Sequence, residues 1–259
     1  MVGFASFVGG LLFPDDCRLC GLPLRNLSRV PVCEACLRLP SPLAADFFCA
    51  ACRTPFSSPF PLDASGRCAL CRSNLRGFDT AYSYGAYEGA LRDLIHLLKY
   101  DRIRTLAVRL GDLLMAAYPR EERLDAIVPM PLHWRRYWQR GFNQSALLAG
   151  EVSRRCGLPV VQAVRRTRAT APQAGLTNAR RRANVAGAFA PSRRGSVKGL
   201  RVLLLDDVMT TGATASACSR ALKSAGASYV VFLALARADR RYNPAPGAPS
   251  PEPSHSGAA

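Results

Sequence analysis

The spacing of the hydrophobic residues predicts alternating helices and strands from about Gly77 onward. Leu91, Leu94, Ile95 and Leu98 recur at helical intervals and predict an amphipathic helix. Further helices are predicted over 103–118, 141–156 and 213–226, and short apolar runs predict strands over 125–132, 158–164, 200–207 and 228–236. Strands that alternate with helices form a parallel sheet with helices on both faces. The expected fold class is therefore α/β.

The residues before Gly77 follow a different pattern. Residues 1–76 hold short apolar runs and many prolines but no long amphipathic helix, so they bury little apolar surface by themselves. Residues 77–242 are expected to form the sheet domain, and the Pro/Ser-rich tail 243–259 is expected to be disordered. The first apolar stretch lacks a preceding basic region, which favours a short packed helix over a signal peptide. No membrane span is expected.

Eight of the ten cysteines form four Cys-x-x-Cys pairs, namely Cys17/Cys20, Cys33/Cys36, Cys49/Cys52 and Cys68/Cys71. Two such pairs supply the four thiolates of a tetrahedral zinc, so four pairs predict two closed, structural Zn²⁺ sites. Pairing in sequence order is favoured, and an interleaved pairing, first with third and second with fourth, is also compatible with the spacing. Zinc-bound cysteines without a signal peptide indicate a cytoplasmic protein. Cys156 and Cys218 stand alone in helical patterns and are predicted core residues.

The charge of the chain indicates a polyanionic partner. The formal net charge is +17, from 35 Lys and Arg against 18 Asp and Glu. Between Val152 and Leu205 there are twelve arginines and lysines and no carboxylate. A segment this one-sided repels itself unless it meets an anion. A phosphorylated small molecule, a nucleic acid or an acidic membrane surface would each meet this requirement.

The stretch "VLLLDDVMTTGAT" places a buried strand directly before two carboxylates and a hydroxyl-rich loop. Ligands of parallel sheets bind at the carboxyl ends of the strands, where Asp206 and Asp207 are expected. The following loop enters a helix N-terminus, whose free N–H groups and dipole favour a phosphate, and Gly212 lets the backbone approach closely. The two carboxylates suit vicinal hydroxyls and a nearby metal. The pattern therefore predicts a ribose 5-phosphate site.

This stretch closely resembles the 5-phosphoribosyl 1-pyrophosphate (PRPP) motif of type I phosphoribosyltransferases. Nearly the whole chain, to about residue 240, resembles the ComF family, also called amidophosphoribosyltransferase-like competence proteins. The resemblance rests on the cysteine-rich start, "LLKY", "VPMPLHWRRYWQRGFNQSALLA" and "QAGLTNARRRANVAGAF". It implies a double zinc ribbon followed by a type I phosphoribosyltransferase sheet, with Mg²⁺ accompanying PRPP. Some relatives act in natural DNA uptake.

The resemblance also assigns roles to individual residues. Asp206 and Asp207 would hold the ribose hydroxyls and the metal environment, as the catalytic pair. The 5-phosphate would lie against Thr210, Thr211, Gly212, Ala213 and Thr214. The pyrophosphate loop and the helix behind it would supply Arg135, Arg136 and Arg140, and a mobile hood loop would supply Gln173, Arg181 and Asn184. Lys99 would contact PRPP, although a lysine at a helix C-terminus also suits the helix dipole.

Two functions fit these residues. The first is Mg²⁺-dependent transfer of phosphoribosyl from PRPP to an acceptor that the sequence does not identify. The resemblance connects this function with DNA uptake. The alternative is a non-enzymatic protein that binds single-stranded nucleic acid or the competence machinery through the same fold. A catalytically silent assembly protein is disfavoured, because it has no physical need for two carboxylates at a strand end.

Overall fold

The computed structural model describes residues 16–24, 29–73, 77–168 and 185–238. The strands are β1 (Phe47–Phe48), β2 (Pro55–Phe56), β3 (Thr80–Ala86), β4 (Ala126–Pro129), β5 (Val164–Arg166), β6 (Phe189–Pro191), β7 (Arg201–Met209) and β8 (Tyr229–Arg237). The helices are α1 (Glu34–Arg38), α2 (Ala69–Arg72), α3 (Gly89–Lys99), α4 (Leu106–Ala116), α5 (Trp134–Arg140), α6 (Gln144–Cys156) and α7 (Ala213–Ser224). The predicted hood residues Gln173, Arg181 and Asn184, the N-terminal stretch and the tail lie outside the described residues.

The main sheet has four parallel strands in the order β3-β8-β7-β4. The central strand β7 pairs with both neighbours, so that Leu203 lies between Val231 of β8 and Ile127 of β4. Since all strands run the same way, their carboxyl ends meet at one edge, and the connections cross over the faces as helices. The predicted parallel α/β fold is confirmed.

The side chains of β7 alternate between two hydrophobic cores, one on each face of the sheet. Val202 and Leu204 pack in one core with residues of α7 and of the β5–β6 pair. Leu203 and Leu205 pack in the other core with buried leucines of α3, α4 and α6. A strand buried on both faces needs a continuous apolar run, which "VLLL" supplies.

The described part of the cysteine-rich segment contributes buried residues to both of these cores. Cys17 and Cys36 belong to the core formed with α3, α4 and α6. Cys49, Cys52 and Cys68 are almost fully buried in the core on the opposite face. The two halves of the segment therefore pack on opposite faces of the sheet.

Three details of the sheet differ from the sequence-based prediction. The strand predicted over 158–164 was wrong, since Val160 makes only an isolated bridge to Ile127 and β5 begins at Val164 outside the main sheet. The edge strand β3 was missed, because its serine, tyrosines and glycine interrupt the apolar pattern. The strand predicted over 200–207 extends to Met209, since Val208 and Met209 still pair with β8.

The antiparallel pair β5–β6 lies outside the main sheet. Residues 169–184, which the structure does not describe, lie between these two strands in the sequence. Val164 pairs with Pro191 and Arg166 with Phe189. Across the described ranges, no helix has the length and hydropathy needed to cross a membrane.

Candidate functional site

A cavity of about 340 Å³ lies at the carboxyl edge of the main sheet. This volume falls within the usual range for small-molecule sites. Its wall contains the predicted residues Lys99, Arg136, Arg140, Asp206, Asp207, Thr210, Gly212 and Thr214. Gln144 also lines it, as do four residues that were not predicted, namely Tyr87, Tyr100, Ser145 and Arg166. The structure thus gathers residues from β5, β7, α3, α5, α6 and α7 around one cleft, which we call the acidic-pair cleft.

The acidic pair is held by three different partners. Asp207 is buried and its Oδ1 lies 2.7 Å from Nζ of Lys99, at the end of α3. Asp206 Oδ1 accepts hydrogen bonds from Ser145 Oγ at 2.8 Å and from the backbone N–H of Asp207 at 2.9 Å. Lys99 therefore neutralises one carboxylate, while the other keeps only neutral hydrogen-bond donors.

This environment disfavours ionisation of the Asp206 carboxyl group. Burial and the neighbouring Asp207 raise the pKa of Asp206 to about 7, although Ser145 and Lys99 act in the opposite direction. The pKa of Lys99 is raised, because the attraction of the two carboxylates outweighs the effect of burial. A carboxyl group with a pKa near neutrality is a common feature of functional clefts.

The raised pKa of Asp206 predicts a pH dependence of stability. The folded protein keeps a proton that the unfolded chain, with a pKa of 3.8, releases. This contribution to stability is complete below about pH 3.8 and is lost as the pH rises through about 7. Asp206→Asn should remove it, so the free energy of unfolding of the wild type should fall relative to that of the variant between about pH 4 and 7. Urea unfolding at several pH values measures the difference, and parallel curves would contradict the assignment.

The loop after β7 carries the groups expected for a phosphate. Gly212 caps α7 in the left-handed conformation with φ +77°, which residues with a Cβ rarely adopt. Thr210 and Thr214 line the cleft beside it. Thr211 and Ala213 were predicted in the same set but do not line the cleft. Thr211 Oγ1 instead accepts a 3.4 Å hydrogen bond from the N–H of Ala213.

Arginines form another part of the cleft wall. The half-buried Arg136 and Arg140 line the cleft, and the guanidinium of Arg140 lies 5.3 Å from the ring centre of Tyr100. Arg135, predicted in the same role, does not line the cleft and lies over the ring of Trp134. The difference arises because residues 134–140 form helix α5, on which neighbouring side chains point in different directions.

Arg166 is a further cation of the cleft that the sequence did not single out. Burial, and then the proximity of Arg136, lower the pKa of its guanidinium. Two arginines brought this close favour an anionic ligand between or beside them. Its only sequence signal was its place in the carboxylate-free segment 152–205.

Two buried oxygen atoms in the cleft have no hydrogen-bond partner among the residues that the structure describes. They are Oδ2 of Asp207 and Oε1 of Gln144. Both residues line the cleft, and both are less than 10% exposed. A buried acceptor without a partner is costly, and carboxylate and amide oxygens are ligands suited to Mg²⁺. The donor set therefore fits a hard divalent cation.

The eight paired cysteines form two clusters in sequence order. The first contains Cys17, Cys20, Cys33 and Cys36, and the second contains Cys49, Cys52, Cys68 and Cys71. Within each cluster the sulfur atoms all lie within 4.8 Å of one another. Four thiolates at this spacing fit a closed tetrahedral zinc site. The favoured sequential grouping is the one that the structure shows, and the interleaved grouping is wrong.

The thiols of the first cluster compete for ionisation. Burial opposes ionisation of Cys17, yet hydrogen bonds from backbone N–H groups, including that of Cys33 at 3.3 Å, lower its pKa to about 6. Burial and the neighbouring cysteines raise the pKa of Cys36. Four thiolates therefore need a cation to share this space, which again fits a metal site.

The second cluster is tied to the main sheet by a buried arginine. Arg237, the last residue of β8, is 3% exposed. Its guanidinium donates to Oγ1 of Thr54 at 2.9 Å and to the carbonyl oxygen of Cys52 at 2.5 Å. The hydroxyl of Thr54 lies 2.9 Å from Sγ of Cys52. A charged side chain thus links the cluster to the strand next to β7.

A second, larger cavity of about 810 Å³ adjoins the acidic-pair cleft. We call it the side cavity. It shares Pro131, Leu132 and Arg166 with the cleft. Its wall also includes Trp134 and Tyr137, whose side chains are 60% and 51% exposed.

Comparisons with known proteins agree with this architecture. Residues 143–247 match the family model described as a phosphoribosyl transferase domain. The chain is 33% identical over 234 residues to DNA utilization protein YhgH of Salmonella typhimurium, covering 88% of this chain and 99% of that protein. It is 34% identical over 235 residues to the protein of the same name from Escherichia coli, with the same coverage.

Two further comparisons cover less of the chain. Competence protein F of Haemophilus influenzae is 35% identical over 170 residues, covering 62% of this chain and 74% of that protein. A glutamine PRPP amidotransferase structure from B. subtilis, solved with ADP and GMP, is 22% identical with a TM-score of 0.35. That similarity covers 51% of this chain and only 26% of the amidotransferase. The sequence matches and the two four-cysteine clusters together show that this chain belongs to the ComF family of competence-type proteins with a phosphoribosyltransferase domain.

Proposed function

We propose that this chain binds PRPP in the acidic-pair cleft and transfers its phosphoribosyl group to a nitrogen of an acceptor. The observation that carries the proposal is the convergence of the acidic pair, the Gly212 loop and the cleft arginines on one cavity. Asp206 and Asp207 suit the ribose hydroxyls, and the N-terminus of α7 suits the 5-phosphate. Arg136, Arg140 and Arg166 suit the pyrophosphate.

The proposed reaction replaces one bond at C1 of the ribose by another. The bond from C1 to the pyrophosphate oxygen breaks, and the oxygen of the leaving pyrophosphate keeps the electron pair. A bond from the acceptor nitrogen to C1 forms, and the acceptor proton passes to solvent. The ring gains positive charge and the leaving group keeps negative charge, so the protein acts mainly by positioning and by electrostatic stabilisation. The carboxylates face the first charge and the arginines face the second.

Metal ions are part of the proposal. When bound, Mg²⁺ would supply charge neutralisation for the pyrophosphate. Asp207 and Gln144 carry the buried oxygens suited to hold it, which have no partner in the described part of the chain. Zn²⁺ in the two cysteine clusters would be structural, since the four cysteines of each cluster leave no coordination position open for a substrate. A cytoplasmic location, where thiols stay reduced, is included in the proposal.

Neighbouring arginines provide a matched test of PRPP binding. Arg136→Gln should weaken Mg²⁺–PRPP binding roughly tenfold or more, since a lost charge-assisted hydrogen bond costs about 1.5–3 kcal/mol. Arg135→Gln should leave the affinity unchanged, because Arg135 does not line the cleft. Calorimetric titration of the zinc-loaded protein measures both. The absence of saturable PRPP binding to the folded wild type would overturn the proposal.

A second candidate function is binding of single-stranded nucleic acid in the side cavity. The specific observation is a wall that combines the exposed rings of Trp134 and Tyr137 with Arg165, Arg166 and Arg194. Among the described residues that line it there is no carboxylate. Aromatic rings stack on unpaired bases, and arginines neutralise the phosphate backbone. The names of the relatives, a DNA utilization protein and a competence protein, favour this candidate.

The two tryptophans of α5 separate this candidate from non-specific charge attraction. Trp134 lines the side cavity, whereas Trp138 is 80% exposed and does not line it. Trp134→Ala should weaken binding of an oligothymidine roughly tenfold, because stacking contributes about 1–3 kcal/mol per base. Trp138→Ala should have little effect. Fluorescence anisotropy at several salt concentrations measures both affinities, and equal losses would exclude the cavity as the binding site.

A further inference from the structure

The position of Arg237 joins the second cysteine cluster to the acidic-pair cleft. Its side chain contacts Cys52 and Thr54 of the cluster, as described above. Its main chain lies at the cleft end of the sheet, where it is paired with Met209 of β7 and Ala86 of β3. Met209 is the residue directly before Thr210, where the Gly212 loop begins. Arg237 thus contacts both the second cysteine cluster and the end of β7 that precedes the Gly212 loop.

Main-chain hydrogen bonds continue this connection into the wall of the cleft. The N–H of Tyr87 donates to the carbonyl oxygen of Arg237 at 2.9 Å. The N–H of Ala238 donates to the carbonyl oxygen of Met209 at the same distance. Tyr87 and Met209 both line the cleft. A shift of Arg237 would therefore move two parts of the cleft wall.

The charge of Arg237 suits the cluster in its metal-bound form. Four thiolates around one Zn²⁺ carry a formal charge of −2, and a buried charge requires an opposite charge nearby. The guanidinium reaches the carbonyl of Cys52, and the hydroxyl of Thr54 connects it to Sγ of the same cysteine. Partners of this kind, one step behind the ligands, orient the ligands and strengthen metal binding.

We propose that Arg237 is the counter-charge of the second cysteine cluster. Through Arg237, metal binding at this cluster holds the Gly212 loop and Tyr87 in position. Arg237 is a positioning residue, since it lies behind the cleft wall and contacts the cluster. The effect on the cleft rests on the proposed function, whereas the effect on the cluster does not. The chain would then bind PRPP well only when the second cluster is filled.

Arg237→Met tests the charge at nearly constant volume. Zinc affinity of the second cluster should fall about 10- to 100-fold, as is usual for loss of such a partner. The first cluster should keep its affinity, so that competition with a chromogenic chelator releases one zinc early and one late. Arg237→Lys keeps the charge and should restore most of the affinity. Arg109→Met removes an exposed ion pair with Glu34 beside the first cluster and should change neither affinity.

Hydrogen exchange of the zinc-loaded variants measures the second half of the proposal. In Arg237→Met, exchange should become faster at Tyr87 and in residues 209–212, and PRPP affinity should fall with it. If Arg237→Met does not fold, Thr54→Val removes the connecting hydroxyl at the same volume and should show the same changes to a smaller degree. Equal zinc release from both clusters with unchanged exchange would overturn the inference. Failure of the wild type to bind PRPP would overturn the proposed function, while the zinc and exchange results would still test the role of Arg237.

Discussion

Asp207→Asn is expected to destabilise the protein, whereas Asp206→Asn is expected to stabilise it above neutral pH. Asp207 forms a buried ion pair with Lys99, and loss of one partner of such a pair costs about 3–5 kcal/mol. At this chain length the melting temperature should fall by roughly 6–20 °C. Asp206 loses a charge that burial and its neighbour make unfavourable, so its variant should melt at a higher temperature than the wild type at pH 8.

The double variant should lose PRPP binding in spite of these opposite effects. Two lost charge-assisted hydrogen bonds predict an affinity roughly 100-fold lower or weaker still. Calorimetric titration with Mg²⁺ and PRPP measures the affinity, and thermal unfolding measures the stability of the same samples. Asp93→Asn is the matched control, because Asp93 is a half-exposed carboxylate that pairs with Arg92 on the surface of α3. Full PRPP affinity in a folded double variant would show that the ligand lies elsewhere.

Loss of the second cysteine cluster should destabilise the chain more than loss of the first. Cys68 is 1% exposed in the core that also holds Val202, Leu204 and Phe232, whereas Cys33 is only half-buried. Cys68→Ser should reduce the zinc content from two ions to one and lower the melting temperature by at least 10 °C, since structural zinc contributes several kcal/mol to folding. Cys33→Ser should remove one zinc with less than half of that decrease.

The matched control for this experiment is a cysteine outside both clusters. Cys156, in the last turn of α6, is outside both clusters, so Cys156→Ser should keep two zinc ions and a nearly unchanged melting temperature. Zinc is measured by elemental analysis and stability by scanning calorimetry. Equal destabilisation by Cys68→Ser and Cys33→Ser would contradict the unequal burial of the two clusters as the deciding factor.

Patterns that involve neighbouring residues could be predicted from the sequence. The apolar run before Asp206 and Asp207 predicts a buried strand that ends at a ligand site, and the structure places both residues in one cleft. The Cys-x-x-Cys pairs predict two four-cysteine sites because a knuckle needs only local turns. The segment 158–164 was predicted incorrectly, because a short apolar run does not distinguish a strand from an extended segment beside one.

Contacts between distant parts of the chain were decided only by the tertiary structure. The ion pair of Lys99 with Asp207, the hydrogen bond of Ser145 with Asp206 and the contact of Arg237 with Thr54 each join residues far apart in sequence. The same holds for the separation of Arg135 from Arg136, which depends on the orientation of helix α5. The sequence by itself determined most of the helices and strands, the cysteine pairs and the acidic motif, because these follow from short-range spacing. Packing of the helices on the sheet determined which charges meet, because side chains interact strongly only at a few ångströms, and only the folded chain sets those distances.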